Sequence, residues 1–112
     1  MKIVEIGEVE LFYNEDGKVT KSSFTPTMKI NLDENLINQL HSIESNKNSE
    51  VIKHNAEIML ASFFSKINEI ELADRDYYHI ESEVMKCDKY PTGIAKYCKI
   101  KFIFKPINSK TS

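Results

Sequence analysis

The chain has 112 residues, 41% of them hydrophobic and 29% charged, with a formal net charge of −2. Those values are ordinary for one soluble globular domain that can bury a core without staples, and they exclude a disordered, collagenous or disulfide-dense chain. No apolar run reaches the length of a membrane helix, and the opening MKIVEIGEVE lacks the apolar core of a signal peptide. The expectation is therefore a cytoplasmic protein with no membrane partner, in which Cys87 and Cys98 are reduced thiols.

Lys and Ile each occur fourteen times and Asn nine times, against a single Arg. All three favoured residues have AT-rich codons, which points to the AT-rich genome of a low-GC bacterium or its phage. Charge is unevenly spread. Residues 1–85 hold 8 Lys or Arg and 16 Asp or Glu, whereas residues 86–112 hold 7 Lys and one Asp. Residues 1–107 read as a single α+β domain and residues 108–112 as a flexible C-terminal tail.

In chain order, residues 2–13 read as a strand. Val9, Leu11 and Tyr13 alternate with Glu8, Glu10 and Phe12, and Gly7 marks a bulge. Asn14-Glu15-Asp16-Gly17 has type I turn chemistry, with Gly17 as the left-handed residue of a hairpin loop. Residues 18–25 form a polar second strand, and Pro26 makes it an edge. Met28, Ile30 and Leu32 alternate again before a helix starting near Asn31 or Asp33, where Asn31 and Glu34 resemble a capping box. Leu36, Ile37, Leu40 and Ile43 are its apolar stripe. The short polar link at 44–48 makes the next helix an antiparallel neighbour.

That second helix, residues 49–67, is the longest apolar-periodic segment. Ile52, Ala56, Met59, Leu60, Phe63 and Ile67 share one side at i, i+3, i+4 spacing. Val51, Ile58, Ala61 and Phe64 widen the stripe, so the helix is expected to be buried over more than half its surface. Asn48 or Ser49 caps its first turn, and Glu50 sits where the helix dipole favours an anion.

Residues 77–89 and 94–106 read as a second hairpin around the turn Tyr90-Pro91-Thr92-Gly93. The turn pairs Tyr90 with Ile94. Carried along the hairpin, that register sets Val84 against Ile100, Ser82 against Phe102, Ile80 against Phe104, Glu83 against Lys101 and Met85 against Lys99. A one-residue slip would mix the two faces. Ile94, Cys98, Ile100, Phe102 and Phe104 then face the helices, and Tyr97, Lys99, Lys101, Ile103 and Lys105 face away. In this register Cys87 and Cys98 fall on opposite faces, where a disulfide cannot close. The whole is α+β in the order ββααββ: two antiparallel β-hairpins forming one sheet, with two central helices packed on one face.

Motifs for chemistry are sparse. His54 and Glu57 stand at i, i+3 on a helix face but need a third metal ligand. Asp74-Arg75-Asp76 ahead of His79 matches turn chemistry as well as a metal motif. Cys87 and His79 are too far apart along one strand to act as nucleophile and base. No pattern calls for a cofactor, a metal or a catalytic residue.

The readings that remain are surfaces. Tyr97, Lys99, Lys101, Ile103 and Lys105, with Met85 and Tyr77 from the neighbouring strand, combine apolar, aromatic and charged groups as interfaces do. They nominate a non-enzymatic protein-binding protein, of the inhibitor or immunity kind, whose partner is another protein or a second copy of itself. The alternatives are a nucleic-acid-binding module using the basic C-terminal strand, and a small enzyme without a sequence signature.

Overall fold

A computed structural model describes residues 3–27, 34–64 and 78–106. The elements are β1 (Val4–Tyr13), β2 (Val19–Pro26), α1 (Glu34–Leu40), α2 (Ser49–Phe64), β3 (Tyr78–Lys89) and β4 (Ala95–Pro106). The expected capping box at Asn31, the alternation at Met28–Leu32, the end of the second helix with Ile67, the Phe64 side chain, the acids around Arg75, Tyr77 and the C-terminal tail lie outside what is described.

The four strands form one antiparallel sheet in the order β2-β1-β4-β3. The fold is α+β in the order ββααββ, with both helices on one face of the sheet. β2 is an edge strand, as its Pro26 demands. The new element of topology is the centre: β1 and β4 pair with each other, so the two hairpins join through their outermost strands in sequence. Alternation then builds the core. Ile6, Val9 and Leu11 of β1 and Cys98, Ile100 and Phe102 of β4 are fully buried, against Leu40 of α1 and Ile52, Ala56 and Leu60 of α2.

Gly7 sits at the bulge expected of it. The β1–β4 register shifts between Glu5 and Gly7, which lets Ile6 and Val9 both reach the core. Its φ is +151°, and a Cβ here would lie 2.4 Å from the Thr25 carbonyl oxygen. Only glycine fits between β1 and β2 at this rung.

Both turns form as their residues dictate. The Gly17 amide donates to the Asn14 carbonyl, and the Asn14 side chain accepts from the amides of Asp16 and Lys18. In the second turn the Gly93 amide donates to the Tyr90 carbonyl, and the Tyr90 amide to that of Ile94. The two turns share one end of the sheet, and the link between α1 and α2 ties them together. The Ser45 amide donates to the Gly17 carbonyl (2.9 Å), the Ala95 amide to the Asn46 carbonyl (3.1 Å), and the Ser45 hydroxyl to the Ala95 carbonyl (2.7 Å).

The second hairpin departs from the expected register over residues 86–88, between one shift at Val84/Lys86 and a second at Asp88/Lys89. Ile80, Ser82, Glu83 and Val84 pair as anticipated, with Phe104, Phe102, Lys101 and Ile100. A bulge then intervenes between Val84 and Lys86, so that Lys86, not Met85, lies opposite Lys99, and Cys87 lies directly opposite Cys98. The expectation of thiols on opposite faces is overturned: both are on the helix side, with Sγ atoms 3.4 Å apart. The bulge releases an exposed extra residue, Met85, and keeps both Val84 and Cys87 against the core.

The central helix also differs from its sequence pattern. Asn48 caps it, its side-chain oxygen accepting from the Glu50 amide. Met59 and Phe63 are only partly buried, and Val51 and Ile58 are 40% and 57% exposed. A helix lying on one sheet makes contact along one stripe, so apolar residues beyond that stripe stay in solvent. The broader burial expected for it is not what forms.

This sets up a contrast within one helix. Leu60→Ala should destabilise the protein by about 2–5 kcal/mol, the usual cost of a core leucine. Ile58→Asn, two positions away, should change stability by no more than about 0.5 kcal/mol. Urea melts of the two variants check both; equal losses would contradict the contact stripe described.

Candidate interaction face

Among the described residues, nothing packs on the sheet face opposite the helices. Alternation along each strand decides what stands on it: Glu8, Glu10 and Phe12 from β1, Tyr97, Lys99, Lys101 and Ile103 from β4, and Glu81 and Glu83 from β3. Because β4 lies between β1 and β3, its lysines run as a basic row between two acidic rows. Lys99 pairs with Glu8 at 3.4 Å, Lys101 with Glu5 at 2.9 Å and Lys105 with Glu81 at 3.6 Å. Glu81 also meets His79 at 2.8 Å. That hydrogen bond, followed by the charge of Lys105, holds the Glu81 carboxyl below its usual range. Each pair is solvent-exposed and contributes little stability alone. Together they pair three lysines of the cationic C-terminal quarter with acids from the rest of the chain, so part of the charge asymmetry along the sequence is neutralised in space.

Of the nominated residues, Tyr97, Lys99, Lys101, Ile103 and Lys105 do alternate against the buried Cys98, Ile100, Phe102 and Phe104. They do not form one apolar patch. Ile103 lies between Glu5 and Glu81, in a shallow recess lined also by Ser82, Glu83 and Lys101. Tyr97 lies at the turn end, between Phe12 and Asp88, with the lysine rungs separating it from Ile103. Met85 stands out from the β3 bulge, 48% exposed.

The turn end holds what sequence reasoning missed. The Phe12 and Tyr97 rings meet at 4.8 Å, tilted by 48°. Tyr90 is held beside them by its hydroxyl, which donates to the Tyr13 carbonyl at 2.6 Å. Each ring has a lysine ammonium over it: Lys21 at 5.6 Å from Phe12, Lys86 at 6.0 Å from Tyr97 and Lys96 at 5.8 Å from Tyr90. Phe12, Tyr97, Tyr90, Thr20, Lys86 and Lys96 line an open depression here. The one available signal was Phe12 itself, an aromatic in phase with Glu8 and Glu10 on the polar side of β1.

Tyr97 also donates to the Glu10 carboxylate. Lost hydration, then that hydrogen bond, raise its phenol from 10.0 to about 12. Elsewhere, His54 is an exposed residue of α2. Among the described residues, no group of three or more His, Cys, Asp or Glu side chains could hold a metal ion, and no helix is long and apolar enough to cross a membrane.

No protein-family model, curated protein or solved structure matches this chain.

The raised Tyr97 phenol makes an alkaline prediction. Its neutral form is favoured in the folded state, so its contribution is fully present below pH 10 and is lost as pH rises from 10.0 towards about 12. Tyr97→Phe should make thermal stability fall less steeply across that window. Melting temperatures between pH 8 and pH 12 check this; an unchanged slope would contradict it.

Proposed function

We propose that this is a non-catalytic binding protein that engages another protein chain through its open sheet face, as an inhibitor or immunity-type protein does. The observation that carries the reading is the arrangement of that face: a basic row between two acidic rows, ending in a lysine-rimmed cluster of Phe12, Tyr97 and Tyr90. Mixed-sign rows complement a mixed-sign protein surface and fix its register, and exposed aromatics supply anchoring area. The nominated contact comprises Tyr77, Met85, Tyr97, Lys99, Lys101, Ile103 and Lys105, and we add Phe12 and Tyr90, which stand beside Tyr97.

One observation favours a second reading. Rings rimmed by Lys21, Lys86 and Lys96 are also what an unstacked nucleic-acid base meets on a single-strand-binding surface. The carboxylates of Glu5, Glu8, Glu81 and Glu83 flanking β4 oppose a phosphate track along the strand, which places this reading second.

The test is affinity capture from the native host with the intact protein and with the Phe12→Ala/Tyr97→Ala variant, folding being checked by circular dichroism. A partner protein held by the parent should bind the folded variant about tenfold more weakly or worse. Undiminished capture would remove the face from the contact. Retention of nucleic acid that collapses as salt rises would replace the first reading with the second.

A further inference from the structure

Cys87 and Cys98 are opposite residues of the β3–β4 ladder, and both point to the helix side of the sheet. Residues directly opposite in an antiparallel pair have Cα atoms about 4.5–5.5 Å apart, inside the range that a disulfide spans without backbone movement. Their sulfurs are already 3.4 Å apart, the Cys98 thiol donating to Cys87 Sγ. Both are free thiols. They differ in access: Cys98 is fully buried, whereas Cys87, on the edge strand, is only partly so.

From this geometry we infer that Cys87 and Cys98 are a reversible oxidation site, closed to a cross-strand disulfide by hydrogen peroxide and reopened by small thiols. Cys87, the accessible sulfur, attacks one peroxide oxygen as thiolate. The O–O bond breaks, hydroxide leaves, and Cys87 becomes a sulfenic acid. Cys98 sulfur then attacks the sulfenic sulfur. The S–S bond forms, the S–O bond breaks, and the departing hydroxide takes the Cys98 proton and leaves as water. In sum, two thiols and one peroxide give one disulfide and two waters.

The surroundings suit the two roles. Burial, then the hydrogen bond with Cys87, push the Cys98 thiol above its ordinary value, which protects it from peroxide; it reacts only with a sulfenic sulfur held at about the present 3.4 Å, as the departing hydroxide takes its proton. The Tyr13 hydroxyl is buried with no hydrogen-bond partner among the described residues, and burial, followed by the charges of Cys98 and Cys87, raises its pKa. The bond would fasten edge strand β3 to β4 one rung from the Asp88–Tyr97 pair, whose outward side borders the aromatic depression.

The test treats the purified, reduced protein with equimolar hydrogen peroxide. The expected product is a monomer about 2 Da lighter, with a Cys87–Cys98 linked peptide, a higher Tm than the reduced form, and full reversal by dithiothreitol. In Cys98→Ser, a 1,3-dione should trap a sulfenic acid on Cys87. In Cys87→Ser, Cys98 should resist both peroxide and alkylation until the protein is unfolded. Gain of oxygen without a link, disulfide-linked dimers, or a mass unchanged by peroxide with both thiols still alkylatable after unfolding would each overturn the proposal. The wild-type measurement decides the matter even if a serine variant fails to fold.

Discussion

Val9 opposite Ile100 and Leu11 opposite Cys98 are rungs of the ladder that joins the first hairpin to the last. Each hairpin could form from local turn chemistry, but neither alone has enough buried face to persist in water. Pairing β1 with β4 makes a four-stranded sheet whose central strands supply the fully buried Ile6, Val9, Leu11, Cys98, Ile100 and Phe102. The entropy of closing so long a loop grows only slowly with its length, and the gain is a core onto which both helices pack. Without this ladder the helices would have two separate ribbons beneath them.

The same ladder shapes the chemistry of the open face. It brings Glu5 and Glu8 to Lys101 and Lys99, and Phe12 to Tyr97. It also aligns both turns at one end of the sheet, where Ser45 and Asn46 bind the backbone of Gly17 and Ala95. The aromatic depression is therefore braced from the helix side by the α1–α2 link, and the proposed binding end lies beside these cross-connections. A preorganised contact loses less entropy on docking than a mobile one.

Features set by local chemistry were legible in the sequence. Asn14 to Gly17 and Tyr90 to Gly93 announce their turns, Gly7 its bulge, and Pro26 its edge, because each requirement lies within a few residues. The alternation of Tyr97 to Lys105 correctly separated the two faces of β4. Pairing between non-consecutive strands has no such local signature, so Phe12 was not seen beside Tyr97. The β3 bulge was hidden for another reason. In Val84-Met85-Lys86-Cys87 an apolar Met85 can sit on either face, and only the demand that Val84 and Cys87 both reach the core selects the extra residue. In α2, Val51 and Ile58 match the helical stripe as well as Ile52 does, and a sheet on one side alone decides which of them it covers.

The β1–β4 ladder is tested most directly by backbone nuclear Overhauser effects in the isotope-labelled protein. Cross-strand contacts are predicted between the backbone protons of Val9 and Ile100, and again between those of Leu11 and Cys98, together with the slowest amide exchange in the molecule along β1 and β4. Contacts from β1 to β2 alone, with β1 amides exchanging faster than those of the β3–β4 hairpin, would contradict the account.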